Sequence, residues 1–398
     1  MPTTSRSLRR SVLAGLAACL LGAALPSMAS ASPSAPAIHH VKTQVVLGGV
    51  KVSWDSAKPG VSYTASAVGN SALSCSVVGR DSCTVPIASL GSWSFVVTDR
   101  LGSSTASSAP SAAIPTHLVI ISAGQSNSVG ATSFVVDPVS KVNYMAAPYS
   151  NGADANDSII WANWFILRPT TPKGQPITTA VPLDTPQRQT YASGVWAPSF
   201  GPEIGVARQI WTDTKTPLTV IKAAFAGTSL AQNWNASNGA LFTGMSDLVT
   251  STMTADAKKG QLDVLGAFVW YQGEADSMTP AWAASYQANL SAFITALRSH
   301  LPSAAQLPVV LIKESVSAFT SLSCSSDCAS LLDGDATVRA ADDAVAASMP
   351  RVVEVDSLAA DRTSYSNYLH LSNVGELQVG SQAAAAVEPL ITGLSSTH

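Results

Sequence analysis

Four short polar segments contain most of the side chains in this sequence that could do chemistry. They are residues 124–130, 227–230, 272–276 and 367–372, and each lies beyond a run of apolar residues. Serine, histidine, glutamine and glutamate occur among them, which are residue types that acyl transfer uses as nucleophile, base and hydrogen-bond donor. If the apolar runs are parallel strands, the four segments meet at one edge of a sheet, where such folds bind ligands.

Only one of the six histidines lies in these segments, and that is His370. A serine hydroxyl is a weak nucleophile until a base removes its proton, and histidine is the usual base near neutral pH. Ser126 and His370 are therefore a candidate nucleophile and base. The other histidines lie in a linker, at a domain junction, at the end of a helix pattern or at the C-terminus: His39, His40, His117, His300 and His398.

Five runs rich in Val, Ile and Leu predict the strands that position these segments. Each run is short and near-continuous, as expected for strands buried on both faces of a sheet. Helical periodicity lies between the runs, most clearly over residues 282–297. We predict an α/β fold, a three-layer sandwich with a five-stranded parallel sheet, and we interpret residues 137–191 as a surface insertion near the site. The runs are residues 118–122, 218–225, 264–271, 308–314 and 351–355.

The chain ahead of this region has a different pattern. Residues 41–108 consist of short alternating segments separated by Gly, Pro, Asn and Asp, which predicts a small all-β sandwich. Ser-, Pro- and Ala-containing linkers at residues 32–40 and 109–116 bound it. The α/β domain is then expected to cover residues 117–398.

Residues 1–31 have the features of a signal peptide. Three arginines precede an apolar stretch over residues 11–25, and Ala-Ser-Ala forms a cleavage site before Ser32. We expect a secreted or periplasmic protein, with a twin-arginine route left open by Arg9-Arg10 and lipidation left open by Cys19. No later stretch reaches the ~18 apolar residues that a membrane span needs.

Composition excludes several classes of protein. Only 12% of the 398 residues are charged and 46% are hydrophobic, so the chain can bury large cores. It lacks the basic excess of a nucleic-acid-binding protein and the low hydrophobicity of a disordered one.

After removal of the leader four cysteines remain, as two close pairs that predict the disulfides Cys75–Cys83 and Cys324–Cys328 in an exported chain. Neither pair has zinc-site spacing, and no metal is predicted.

Five motif blocks in order along the chain resemble those of the SGNH hydrolase superfamily. Within it they resemble the sialate O-acetylesterase and acetylxylan esterase branch, which is carbohydrate esterase family 6-like. The resemblance covers residues 118–380 and implies a flavodoxin-like SGNH hydrolase fold, while residues 41–108 resemble a fibronectin type III module. The blocks are Gly-Gln-Ser-Asn at 124–127, Ser-Phe-Gly-Pro-Glu at 199–203, Gly-Thr-Ser-Leu at 227–230, Trp-Tyr-Gln-Gly-Glu at 270–274 and His-Leu-Ser at 370–372.

The resemblance implies roles for individual residues. Ser126 is the nucleophile, and His370 is the general base and then the general acid. The backbone N–H groups of Ser126 and Gly227 and the side chain of Gln272 form the oxyanion hole, which stabilises charge on the carbonyl oxygen. The activity implied is removal of O-acetyl groups from a carbohydrate through an acetyl-enzyme, without metal or cofactor.

The third member of the triad is open. The family usually has an aspartate three residues before the histidine, and this chain has Asn367 there. A neutral amide can orient the imidazole but does not stabilise its charged form as an anion does. Either Asn367 suffices, or Glu274 supplies the carboxylate, and we favour Glu274.

Other polar residues are candidates for substrate binding. Gln125 and Asn127 flank the nucleophile and either contact substrate or brace the loop through backbone hydrogen bonds. Three more are predicted to line the acyl or sugar pocket: Thr228, Ser229 and Trp234. Further tryptophans could stack on sugars or pack in the core: Trp161, Trp164 and Trp196.

The sequence thus predicts a secreted serine carbohydrate esterase that acts on an acetylated carbohydrate as a monomer. Two rivals stay open: another short-chain esterase, arylesterase, lipase or thioesterase, and a non-catalytic carbohydrate-binding surface protein. The acetylated glycan and the hydroxyl position are not specified by the sequence.

Overall fold

The computed structural model describes ten ranges of the chain. They are residues 38–55, 57–131, 133, 160–165, 181–182, 190–191, 194–195, 200–315, 328–362 and 369–394. No helix within these ranges has the length and apolar character to cross a membrane.

Two antiparallel sheets form the N-terminal part, in agreement with the strands predicted there. One has the order β1-β2-β5 and the other β4-β3-β7-β8. Alternation places Tyr63, Ala65 and Ala67 in the core while the residues between them face outward. The resemblance to a fibronectin type III module stays a prediction. The strands are β1 (Lys42–Val46), β2 (Gly49–Ser53), β3 (Ser62–Ala67), β4 (Asn70–Val78), β5 (Ser82–Pro86), β6 (Ser92–Trp93), β7 (Phe95–Leu101) and β8 (Ser104–Ser107).

The predicted disulfide between Cys75 and Cys83 is present. Its cysteines lie on β4 and β5, which are consecutive in the chain but belong to different sheets. The disulfide therefore connects the two sheets to each other. The second predicted disulfide includes Cys324, which lies outside the described residues.

The α/β region begins with the long strand β9 (Ile114–Gly124) and alternates strands with helices. Its remaining strands are β10 (Ile160–Phe165), β11 (Val181–Pro182), β12 (Thr190–Tyr191), β13 (Gly194–Val195), β14 (Leu218–Ala224), β15 (Leu262–Tyr271), β16 (Val309–Lys313) and β17 (Val352–Asp356). Its helices are α1 (Ser126–Val129), α2 (Glu203–Thr214), α3 (Ala240–Lys258), α4 (Glu274–Ser277), α5 (Pro280–His300), α6 (Cys328–Ser348) and α7 (Asn373–Val387), followed by a 3-10 turn (Glu388–Leu390).

The five predicted strands are present as parallel neighbours in the order β14-β9-β15-β16-β17. The prediction of a five-stranded parallel sheet is nevertheless wrong, because the sheet is mixed and has eight strands within the described ranges. β10 adds a parallel strand beside β14, and β11 pairs with β10 in the antiparallel sense. β6 also pairs antiparallel with the start of β9. β10 and β11, which lie within the stretch interpreted as a surface insertion, therefore extend the sheet.

Helices cover both faces of this sheet. Successive residues of β9 point to opposite sides: Ile120 packs in the core with α2 and α7, whereas Ile121 packs in the core with α3, α5 and α6. This two-sided burial explains why the strands are near-continuous apolar runs. The carboxyl ends of the strands are left for the polar segments that follow them.

The N-terminal sheets pack on the opposite end of the α/β region, at the amino ends of its strands. The Leu90 amide donates to the Thr392 carbonyl at 2.9 Å, and the Ser303 hydroxyl donates to the Gly48 carbonyl at 2.6 Å. One hydrophobic core runs through both regions. The N-terminal sheets therefore lie away from the polar segments.

Candidate active site

Ser126 is the first residue of α1, in a tight turn that follows β9. Gly124 ends β9 with a φ of 146°, and a side chain there would lie 2.1 Å from the carbonyl oxygen of Tyr271. The Gln125 amide donates to that same carbonyl at 3.0 Å. β9 and β15 are therefore held together immediately before Ser126, which is 6% exposed.

A buried ion pair supports the other end of this turn. Lys222, on β14, donates through Nζ to Glu203 Oε1 at 2.9 Å and to the Val129 carbonyl at 3.1 Å. Glu203 also accepts from the backbone N–H of Gly201 at 3.0 Å. Burial lowers the pKa of Lys222, and the Glu203 carboxylate opposes that shift. The motif block at residues 199–203 thus supplies the anion that stabilises the lysine beneath α1.

Asn127 connects the nucleophile turn to the loop that contains His370. Its Oδ1 accepts from the Leu371 amide at 3.0 Å, and its Nδ2 lies 3.5 Å from the Leu369 carbonyl. The same Nδ2 donates to Glu274 Oε1 at 2.7 Å. Asn127 is 1% exposed, and these contacts occupy both ends of its amide. Of the two roles left open by the sequence, they favour bracing over substrate contact.

His370 lies between β17 and α7 and is largely buried. Burial, and then the nearby Arg362 guanidinium, lower the pKa of its imidazole to about 4. Arg362 also donates to the Leu369 carbonyl at 3.0 Å and to the Ser357 carbonyl at 3.0 Å, which connects the His370 loop to the end of β17. The ring is therefore neutral at pH 7, the form in which a histidine can accept a proton.

Glu274 is the first residue of α4 and is 2% exposed. Burial raises the pKa of its carboxyl to about 7, although the hydrogen bond from Asn127 opposes the shift. That hydrogen bond puts Asn127 between Glu274 and the backbone on either side of His370. Asn367 lies outside the described residues, so the choice of the orienting group stays a prediction.

The segment after β14 is held by internal hydrogen bonds. The Thr228 hydroxyl donates to the Phe225 carbonyl at 2.7 Å and accepts from Trp234 Nε1 at 3.0 Å. The Ser229 amide donates to Asn233 Oδ1 at 2.9 Å. Thr228, Ser229 and Trp234 are all buried, and their contacts shape the loop, so their predicted contact with substrate stays a prediction. Gly227 has a φ of +70°, and a side chain there would meet nothing within 4 Å, so open space borders it.

The side chain of Gln272, predicted to be an oxyanion donor, lies at the centre of the polar segments. Its Nε2 is 2.6 Å from Asp276 Oδ2, 3.0 Å from the Thr228 carbonyl and 3.1 Å from Gln125 Oε1. Tyr286 donates through its hydroxyl to the Gln272 carbonyl at 2.7 Å. The role of Gln272 in the oxyanion hole stays a prediction, because protein acceptors already surround the hydrogens of its side-chain amide.

Hydrogen bonds thus join all four polar segments, at the edge where the sheet prediction places them. The sequence did not single out Asp276, Tyr286 or Arg362, each of which holds part of the site. Asp276 lies four residues after Gln272, and this spacing brings two side chains together when a helical turn intervenes. The spacing is the signal in the sequence that could have identified Asp276. Other predicted residues have side chains outside the described part of the chain: Trp161, Trp164, Trp196 and Cys328.

Residues 116–388 match the model of a protein family described as carbohydrate esterase, sialic acid-specific acetylesterase. The chain belongs to this family. The esterase is therefore a carboxylic ester hydrolase, which confirms the enzyme class predicted from the sequence. The family also confirms the resemblance to the sialate O-acetylesterase branch.

Solved structures similar to the esterase include three proteins. A protein from Arabidopsis thaliana is 21% identical, with 68% of this chain and 97% of that chain covered and a TM-score of 0.46. A carbohydrate acetylesterase from Xanthomonas citri is 13% identical, with 88% and 75% covered and a TM-score of 0.43. NanS is 15% identical, with 70% and 97% covered and a TM-score of 0.42. A search of curated proteins gives no match.

Proposed function

We propose that the protein is an exported serine esterase that removes O-acetyl groups from a carbohydrate. Membership of the acetylesterase family supports the reaction class. The single observation that supports the proposed residues is the position of Asn127. It follows Ser126 in the chain and contacts Leu369 and Leu371, the residues on either side of His370.

The first half of the proposed reaction is acyl transfer to Ser126. Its hydroxyl oxygen attacks the acetyl carbonyl while neutral His370 accepts the hydroxyl proton. The carbonyl oxygen becomes negative, and the backbone N–H groups of Ser126 and Gly227 donate to it together with a side-chain amide. Loss of one such donor typically costs about 3–4 kcal/mol of transition-state stabilisation. The intermediate then collapses, and His370 returns the proton to the departing sugar oxygen.

The second half releases acetate. His370 accepts a proton from water as the water oxygen attacks the carbonyl of the acetylated Ser126. Collapse of that intermediate breaks the bond to the serine oxygen, which takes the proton back from His370. The products are acetate and the free enzyme, so the atoms balance with water as the only co-reactant.

Acetate release from a panel of acetylated glycans, including xylan and sialic acid, tests this proposal. We expect release by the wild type, loss in Ser126→Ala and His370→Ala, and full activity in Ser299→Ala, an exposed serine on α5. A fluorophosphonate should label the wild type stoichiometrically and should not label Ser126→Ala. Absence of labelling and of acetate release in the wild type would contradict the proposal and support a non-catalytic binding protein.

The acyl group and the export route need separate experiments. A chromogenic ester series should show preference for acetate, and preference for butyrate or longer chains would instead indicate a lipase or another short-chain esterase. N-terminal sequencing of the exported protein should give Ser32, and an unprocessed N-terminus would contradict export by a cleaved leader. Elution as a monomer in size-exclusion chromatography is expected.

A further inference from the structure

Three buried side chains form a hydrogen-bonded chain beneath the Gly227 segment. The Asp276 carboxylate accepts from the backbone N–H groups of Leu230 at 2.7 Å and Ala231 at 2.9 Å. It also accepts from Gln272 Nε2 at 2.6 Å, and that nitrogen lies 3.1 Å from Gln125 Oε1. The hydrogen bonds therefore run from Asp276 through Gln272 to Gln125.

The orientations of the Gln272 and Gln125 side-chain amides are fixed by their neighbours. Both oxygens of Asp276 act as acceptors, so the end of Gln272 that faces them must be its nitrogen. The Ala275 backbone N–H, which can only donate, lies 3.2 Å from Gln125 Oε1. Gln272 and Ala275 thus both hold the oxygen of Gln125 toward the protein. Its Nε2 faces the other way and donates to no atom in the part of the chain that the structure describes.

We propose that Gln125 Nε2 is the side-chain hydrogen-bond donor to the acyl carbonyl oxygen, with Gln272 and Asp276 as positioning residues. This inference rests on the proposed esterase function. Gln125 immediately precedes Ser126, and Thr228, whose carbonyl accepts from the same Gln272 amide, immediately follows Gly227 and the open space beside it. The assignment differs from the one implied by the family resemblance, in which Gln272 donates to the oxyanion directly.

Gln125→Glu is the test, because it keeps an oxygen for Gln272 and Ala275 and removes the donor. We expect kcat to fall by about 10²–10³-fold, the usual loss for one oxyanion donor, with KM nearly unchanged. Asp276→Ala removes the oxygen that accepts from both Gln272 Nε2 and the Leu230 amide, and it frees the Gln272 amide to turn over. It should therefore lower kcat and leave KM unchanged, although Asp276 is fully buried.

Gln287→Glu, on the exposed side of α5, is the matched control for the added charge and should retain wild-type kcat. Melting temperatures identify variants that fail to fold, and Gln125→Met replaces Gln125→Glu if the latter does not fold. Wild-type kcat in a folded Gln125 variant, or a change in KM alone, would overturn the inference. Equal acetate release by the wild type and Ser126→Ala would instead refute the proposed function.

Discussion

Replacement of Asn127 by aspartate is expected to break the contact between the nucleophile turn and Glu274. One carboxylate oxygen of the variant can still accept from the Leu371 amide, as Oδ1 does at 3.0 Å. The variant lacks the hydrogens that Nδ2 directs at Glu274 Oε1 over 2.7 Å and at the Leu369 carbonyl over 3.5 Å. The longer contact contributes little, so the main loss is the hydrogen bond to Glu274.

The magnitude of this loss depends on pH. Burial raises the pKa of Glu274 to about 7, and loss of the opposing Asn127 hydrogen bond raises it further in the variant, so below that raised pKa the protonated carboxyl can donate to the new carboxylate. Above it both groups are ionised and repel each other. A hydrogen bond to a charged group contributes about 1.5–3 kcal/mol, and we expect a destabilisation of about 3 kcal/mol at pH 9. At an unfolding entropy of about 2.1 cal/mol/K per residue, the Tm of a chain of this size should fall by about 4 °C at pH 9 and by less at pH 5.

Thermal unfolding and acetate release at pH 5 and pH 9 measure both consequences in Asn127→Asp. We expect kcat to fall at pH 9 with little change in KM, because the substitution disturbs Glu274, the group proposed to orient His370, and leaves the proposed substrate contacts in place. Asn289→Asp, the same change on helix α5, controls for the added charge. An equal loss of Tm at both pH values, or an unchanged kcat, would refute the reasoning.

Three further predictions concern other contacts of the site. Burial, and to a lesser extent the Arg362 charge, lower the pKa of His370 from 6.5 to about 4, and Arg362→Met removes the second cause. The acid limb of the kcat/KM profile should therefore move upward from near pH 4, and an unmoved limb would contradict the assignment. Glu274→Gln should lower kcat more than Asn367→Ala does if Glu274 is the orienting carboxylate, and the reverse order would favour the asparagine. Lys222→Met breaks a buried ion pair and should cost about 3–5 kcal/mol in denaturant unfolding, and a loss below about 1 kcal/mol would contradict that estimate.

Strands buried on both faces could be predicted because their apolar residues are nearly continuous. β14, β15 and β16 agree with the predicted runs to within two residues at each end. β10 escaped prediction because its sequence, Ile-Trp-Ala-Asn-Trp-Phe, is short and lies in a polar, irregular stretch. Its place in the sheet depends on pairing with β14, a long-range contact that local periodicity does not encode.

The site shows the same division between local and long-range information. Residue types and motif order were enough to select Ser126 and His370 as candidates. The role of Asn127 stayed open because its amide partners are 147 and 244 positions away in the sequence. The direction of the Gln125 amide likewise depends on residues 147 and 150 positions away, so only the folded chain distinguishes its donor end from its acceptor end.

Trapping of the acyl-enzyme tests the central claim most directly. The wild type is mixed with an acetylated substrate, quenched in acid during the first turnovers and digested, and the peptide that contains Ser126 is analysed by mass spectrometry. We predict a mass increase of one acetyl group on Ser126. The increase should be absent in Ser126→Ala and in wild-type enzyme that is not quenched during turnover. Acetate release with no acetylated Ser126 peptide, or release that persists in Ser126→Ala, would contradict the account.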